Sequence, residues 1–295
     1  MDSRMNAWTW GLLVLLGLIW GGSFFFARIA VQHVPPLTLV FFRLLLAALA
    51  LHIYIAGRFD FYSILWRRWR EFLILGLINN ALPHALIFFG QTRIGAGLAA
   101  ILNATTPIWT VLIANYFTSD EKLSAAKIGG CLVGLAGTIV LIGPGISAGG
   151  EAPLWALLLP VLAAISYGFA ATYGKRFRNV PAPVTAAGQL TASSLIALPL
   201  SLLSDRPWTL AAPSLDVLLA ILALALLSTA FGYILYFRIM AAAGATNASL
   251  VTLLVPPSAI LLGALFLGEF IGMALIGFGL VILDGRIYRL LSRTT

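Results

Sequence analysis

Ile19-Trp20-Gly21-Gly22-Ser23-Phe24, near the end of the first apolar stretch, is answered 146 residues later by Ile165-Ser166-Tyr167-Gly168-Phe169-Ala170. At the same offset Val34-Pro35 falls on Val180-Pro181. An offset of 149 carries Gly95-Ala96 onto Gly244-Ala245 and Pro107 onto Pro256, and one of 148 carries Glu121 onto Glu269. Landmarks in one order, twice, predict a duplicated chain. The halves are expected at residues 1–148 and 149–295.

The composition says where such a chain must sit. Of its 295 residues 61% are hydrophobic and 9% charged, and the mean hydropathy is +1.00. A soluble domain carries about a quarter charged residues, so this chain cannot clothe a water-facing surface. Spans of about 20 apolar residues are expected at roughly 8–27, 36–56, 71–91, 95–117, 124–143, 153–174, 182–203, 213–237, 246–267 and 271–288. The fold class is therefore an all-α membrane protein of ten helices. Runs this long and uniformly apolar do not fit the shorter, alternating strands of a barrel. The stretch from Trp8 to Ala27 is too long for a signal-peptide core and reads as the first retained span.

Charge sets direction. With the N-terminus in the cytoplasm, 14 of the 18 Lys and Arg residues fall on cytoplasmic segments, and only Arg28, Arg93 and Arg206 lie opposite. Both termini are thus expected in the cytoplasm. Five spans per half is an odd number, so the second half enters the membrane inverted. The loop Arg58 to Arg70 is rich in Arg, whereas its counterpart, Ser204 to Pro213, holds only Arg206. Inverted repeats place a substrate site near the bilayer midplane. The net charge of +8 is explained by these loops, with no basic patch on a soluble fold to suggest nucleic acid.

The chain resembles the drug/metabolite transporter superfamily in its EamA-type ten-helix branch. The resemblance rests on Ile19-Trp-Gly-Gly-Ser-Phe, Gly95-Ala-Gly-Leu-Ala-Ala100 and Thr106-Pro107-Ile108-Trp109. It rests also on the span-5 glycines Gly129 to Gly137 and on Val255-Pro256-Pro257 with Glu269. Within the branch it looks most like bacterial inner-membrane exporters of aromatic and other neutral amino acids. That resemblance implies a transporter of the bacterial cytoplasmic membrane, taking a small-molecule substrate within the lipid bilayer.

Ionisable groups inside a membrane are functional candidates by default. Every carboxylate maps near a span end or in a loop, which weighs against a pump for lipophilic cations. Arg43, about seven residues into span 2, could meet a substrate carboxylate or snorkel to the interface. His84 sits mid-span 3 with Asn79 and Asn80 a turn before it and Pro83 beside it. The matching segment of the other half reads Ser228-Thr229-Ala-Phe-Gly232-Tyr233. Two polar, interrupted segments at corresponding places point to a binding site. Trp20, Tyr167 and Trp109 are expected to add aromatic walls. The candidate substrate-binding set is therefore Trp20, Asn79, Asn80, His84, Trp109, Tyr167, Ser228 and Tyr233. Pro107 and Pro256-Pro257 could act as hinges, or as static kinks repaired by Ser or Thr.

No HExxH, P-loop, GxSxG or CxxC motif occurs, so catalytic, metal and cofactor roles are not expected, nor is ATP coupling. The lone Cys131 reads as a small buried hydrophobe. The expected function is export of neutral metabolites by alternating access, with both repeats in one chain permitting a working monomer.

Overall fold

The structure is a computed structural model and describes residues 7–57, 60–117, 152–236, 238–239, 242 and 251–268. Seven described helices are long and apolar enough to cross a membrane, and they match the expected spans closely. They are span 1 (Ala7–Val31), span 2 (Pro36–Ile55), span 3 (Trp69–Gln91), span 4 (Ala96–Phe117), span 6 (Leu154–Phe177), span 7 (Ala182–Asp205) and span 8 (Leu215–Tyr236). Span 9 is represented by the helix Val251–Phe266. Expected spans 5 and 10 lie outside the described residues, as do Glu121, Cys131, Gly129 to Gly137 and Glu269. The described elements are all helical.

Proline sets where two of these helices begin. Span 2 follows Pro35, and span 7 follows Pro181; both prolines hold an extended ψ, and a second proline stands in each first turn. Proline suits the first helical turn, where its missing N–H would have had no partner. Asp205, at the far end of span 7, also fastens the start of span 2. Its carboxylate accepts from the Thr38 backbone N–H at 2.7 Å and from the Thr38 hydroxyl at 3.0 Å. An acid at a helix N-terminus is favoured by the helix dipole.

Spans 3 and 8 depart from α geometry at matching positions. Leu77–Ala81 and Ala223–Phe231 are both wound as π-helix. Each wide turn lies one turn or less from a residue that weakens the helix, Pro83 in one and Gly232 in the other. Span 4 breaks at Ala104 and Thr105, between Ala96–Asn103 and Thr106–Phe117. The cause is Pro107, which has no N–H for the Asn103 carbonyl. The Thr106 hydroxyl fills that place at 2.7 Å, which is the Ser/Thr repair that the sequence offered as one of two readings.

Span 1 packs along span 9 and touches span 8; span 6 packs along spans 3 and 4; span 7 lies between spans 2 and 3; and span 2 also meets span 8. Glycines admit the closest approaches. A Cβ on Gly76 would stand 2.8 Å from the Gln189 carbonyl and 2.9 Å from the Ser193 nitrogen, and one on Gly168 would meet the span-4 backbone at 3.1 Å. Small residues at such crossings replace the hydrophobic drive that lipid does not provide. Large apolar side chains such as Leu18, Ile53, Leu195 and Leu219 face outward, as a lipid-solvated bundle requires.

Gly76→Val is expected to destabilise the bundle by about 1–3 kcal/mol, because the obstruction is backbone and cannot rotate away. Gly11→Ala, with nothing within 4 Å of the added carbon, should leave stability unchanged. Thermal unfolding of the two variants in detergent checks the contrast; equal midpoints would refute the packing assignment.

Candidate functional site

The π-turns of spans 3 and 8 bring a polar cluster together inside the bundle. In a π-turn the backbone hydrogen bonds change register, and the carbonyls displaced from the α pattern need other donors. Here the donors are side chains. The Ser166 hydroxyl of span 6 donates to the Ile78 carbonyl at 2.6 Å. The Thr229 hydroxyl donates to the Leu224 carbonyl of its own π-turn at 2.8 Å. The Trp20 indole N–H donates to the Ser228 carbonyl at 3.1 Å, and the Ser228 hydroxyl returns a bond to the Ile19 carbonyl at 3.2 Å.

Side-chain bonds then link spans 2, 3, 7 and 8. The Arg43 Nε–H donates to the Thr229 hydroxyl oxygen at 3.0 Å. The Asn79 amide donates to the Gln189 side-chain oxygen at 2.8 Å. The Tyr233 hydroxyl donates to the Asn80 side-chain oxygen at 3.3 Å, with Asn79 and Gln189 also in its reach. Arg43 is 8% exposed and its guanidinium lies over the Phe88 ring, 5.6 Å from the centroid. Tyr167, Tyr233 and His84 all lie within its electrostatic range.

Five of the eight expected site residues are gathered in this way. Asn79, Asn80 and Tyr233 share direct or adjoining bonds, and His84 and Tyr167 face the Arg43 charge. Trp20 is half-buried, fastened to span 8 by its N–H and stacked on Tyr236 with centroids 5.6 Å apart. Ser228 is fully committed to span 1 through both its hydroxyl and its carbonyl. Trp109 is held within its own helix, its indole N–H donating to the Thr105 hydroxyl at 3.3 Å. Asn80 Nδ2 and His84 Nδ1 are buried and have no hydrogen-bond partner. A buried polar atom left without a partner is costly and marks a place for a ligand or water.

Arg43 was legible in the sequence as one of two readings, and the structure places it inward. Gln189 and Thr229 were not singled out. The signal for Gln189 was available, since it stands 146 residues after Arg43, the offset that also joins Ile19 to Ile165. Among the described residues no carboxylate touches the Arg43 guanidinium, and its Nη nitrogens make no hydrogen bond.

The same fold occurs in a solved crystal structure 22% identical in sequence, with a TM-score of 0.70 over 98% of this chain and 99% of that one. The uncharacterized transporter YoaV of Bacillus subtilis (strain 168) is 25% identical over 278 residues, 92% of this chain and 93% of that protein. The uncharacterized inner membrane transporter YedA of Escherichia coli (strain K12) is 28% identical over 263 residues, 88% of this chain and 83% of that protein. The model of the EamA-like transporter family matches twice in succession, at residues 8–143 and 154–285. With bilayer-length apolar helices, a polar cluster at their centre and a family match across nearly the whole sequence, this chain is a multi-pass membrane protein that belongs to the EamA-like transporter family.

Proposed function

We propose that the protein exports small neutral or zwitterionic metabolites, aromatic and other neutral amino acids foremost, by alternating access around the polar cluster. The observation that carries this reading is Arg43, a buried guanidinium with no carboxylate partner among the described residues. A buried cation of this kind suits a substrate carboxylate, which it can hold through two parallel bonds. The acceptors and donors on Asn79, Asn80, His84 and Tyr233 suit an amino group, and the rings of Trp20, Tyr167 and Trp109 suit an apolar or aromatic side chain. Ser228 positions Trp20 instead of facing the substrate.

The mechanism rests on ten spans arranged as inverted repeats, residues 1–148 and 149–295. The two consecutive family matches support two repeats. The helix pairing fits a pseudo-two-fold axis relating them, and an odd number of spans per repeat would lay that axis in the membrane plane. Exchanging span 1 for 6, 2 for 7, 3 for 8 and 4 for 9 turns the contact of span 1 with span 9 into that of span 6 with span 4. The same exchange turns the contact of span 3 with span 7 into that of span 8 with span 2. The polar bonds obey the same exchange: Arg43 of span 2 reaches the π-turn of span 8, and Gln189 of span 7 reaches the π-turn of span 3. Rocking one repeat against the other would move these bonds together. The chain works as a monomer in the cytoplasmic membrane of a bacterium, with both termini in the cytoplasm, and carries its substrate downhill.

Uptake of labelled aromatic and neutral amino acids into proteoliposomes tests this. Saturable uptake without a pH gradient is expected, lost in Trp20→Ala and Asn79→Ala. Arg43→Gln should lower uptake about tenfold or more, the worth of a charge-assisted bond, while preserving the fold through Thr229. No amino-acid uptake under any condition would overturn the cargo assignment.

His84→Ala separates facilitation from proton coupling. A facilitative carrier keeps its pH dependence when the imidazole is removed. Uptake that requires an imposed gradient, and loses that requirement in His84→Ala, would instead make His84 a proton relay.

A further inference from the structure

An apolar groove of about 490 Å3 runs along the outside of the bundle, between the short helix Phe61–Arg67, the start of span 3 and span 7. Tyr62, Trp66 and Trp69 form its mouth, and Phe72, Ala192 and Leu195 its floor and inner end. It lies apart from the polar cluster. Its wall on span 7 is Thr191, Ala192 and Leu195, about 6 Å of helix rise, so the groove is about one helical turn deep beside the short helix Phe61–Arg67. Trp66 and Tyr62 are largely exposed, as amphipathic rings at the headgroup level are.

The mouth of the groove is ringed by positive charge. Arg67 and Arg70 are exposed beside it, and Arg68 joins this segment to the loop after span 6 by donating to the Arg176 carbonyl at 2.9 Å. Lys175, Arg176 and Arg178 are thereby brought to the same end. The acids here, among the described residues, are Glu71, already paired with Arg68, and Asp60. Arg67 is bonded only to the neutral Ser63 hydroxyl, at 3.1 Å, and Arg70 lies over the Trp69 ring. Six cations against two acids, beside an open apolar groove, is a surface complementary to one kind of bilayer component.

We propose that this groove is a binding site for an anionic phospholipid, with the upper part of one acyl chain lying along Trp66, Trp69 and Leu195 and the phosphate-bearing headgroup against Arg67 and Arg70. Basic residues at this depth each favour an anionic lipid, and the apolar channel distinguishes a bound lipid from a free phosphate. The occupant holds the short helix Phe61–Arg67 against span 7 beside the start of span 3.

Native mass spectrometry of the full-length protein, released from vesicles of equal phosphatidylglycerol and phosphatidylcholine, reads the retained lipid. Phosphatidylglycerol should be retained over phosphatidylcholine about tenfold. Arg67→Gln with Arg70→Gln, both exposed and outside any ion pair, should abolish that preference. Leu195→Trp, also exposed, should narrow the channel and lower retention of both lipids. Millimolar inorganic phosphate should not displace the lipid, since the chain contributes to its hold. Equal retention of the two lipids by the unaltered protein, a preference that survives the double Arg variant, or displacement by phosphate alone would each overturn the site.

Discussion

A backbone carbonyl inside a bilayer has no water to turn to, and the central features of this protein follow from how that demand is met. Where spans 3, 4 and 8 leave α geometry, a side chain supplies a donor: Ser166 for Ile78, Trp20 for Ser228, Thr229 for Leu224, Thr106 for Asn103. In hydrocarbon each such carbonyl left bare would cost several kcal/mol. The repairs made within one helix, by Thr229 and Thr106, fix the local shape of that helix. The repairs made across helices, by Ser166 and Trp20, do more, because they fasten span 6 to span 3 and span 1 to span 8. Deformed helices have thus become the points at which the bundle is joined.

The same joints gather the polar chemistry. A π-turn widens the helix and turns its side chains out of the regular α spacing, and here Asn79, Asn80, Ser228 and Thr229 all lie on such turns. Spans 2 and 7 meet them with long polar side chains, Arg43 on one side and Gln189 on the other. The geometry of these two contacts is alike and their chemistry is not. Arg43 brings a full charge into the cluster, and Gln189 brings a neutral amide that satisfies Asn79. On the proposed repeat architecture, the symmetric frame provides for movement and the single guanidinium gives the site its polarity. Trp20, stacked on Tyr236 and fitted against Gly232, where a Cβ would stand 2.6 Å from its indole nitrogen, shows that a ring can be both wall and fastening.

Family membership and the polar cluster agree on transport, and they bear on cargo unequally. The family model and the relatives' names say transporter and name no substrate. The argument for amino acids is chemical, from a buried guanidinium beside aromatic rings and amide groups.

The sequence by itself placed the ends of the seven described bilayer-length helices to within a few residues, because bilayer thickness fixes how long an apolar helix must be. It located the two deformable segments, since Asn79-Asn80 before Pro83 and Ser228-Thr229 before Gly232 interrupt otherwise apolar runs. The offset of 146 residues also makes Gln189 the counterpart of Arg43. What only the tertiary structure decided is which polar groups spend themselves on the fold and which stay open. The Ser228 hydroxyl and carbonyl are spent on Ile19 and Trp20, and the Trp109 indole N–H on Thr105, so Trp109 has a ring to offer and no free donor. Arg43 could have snorkelled, and instead turns inward to Thr229. Hydropathy is a property of one helix read along its axis, whereas the partner of a polar side chain depends on which neighbour the packing of small residues brings within about 3 Å.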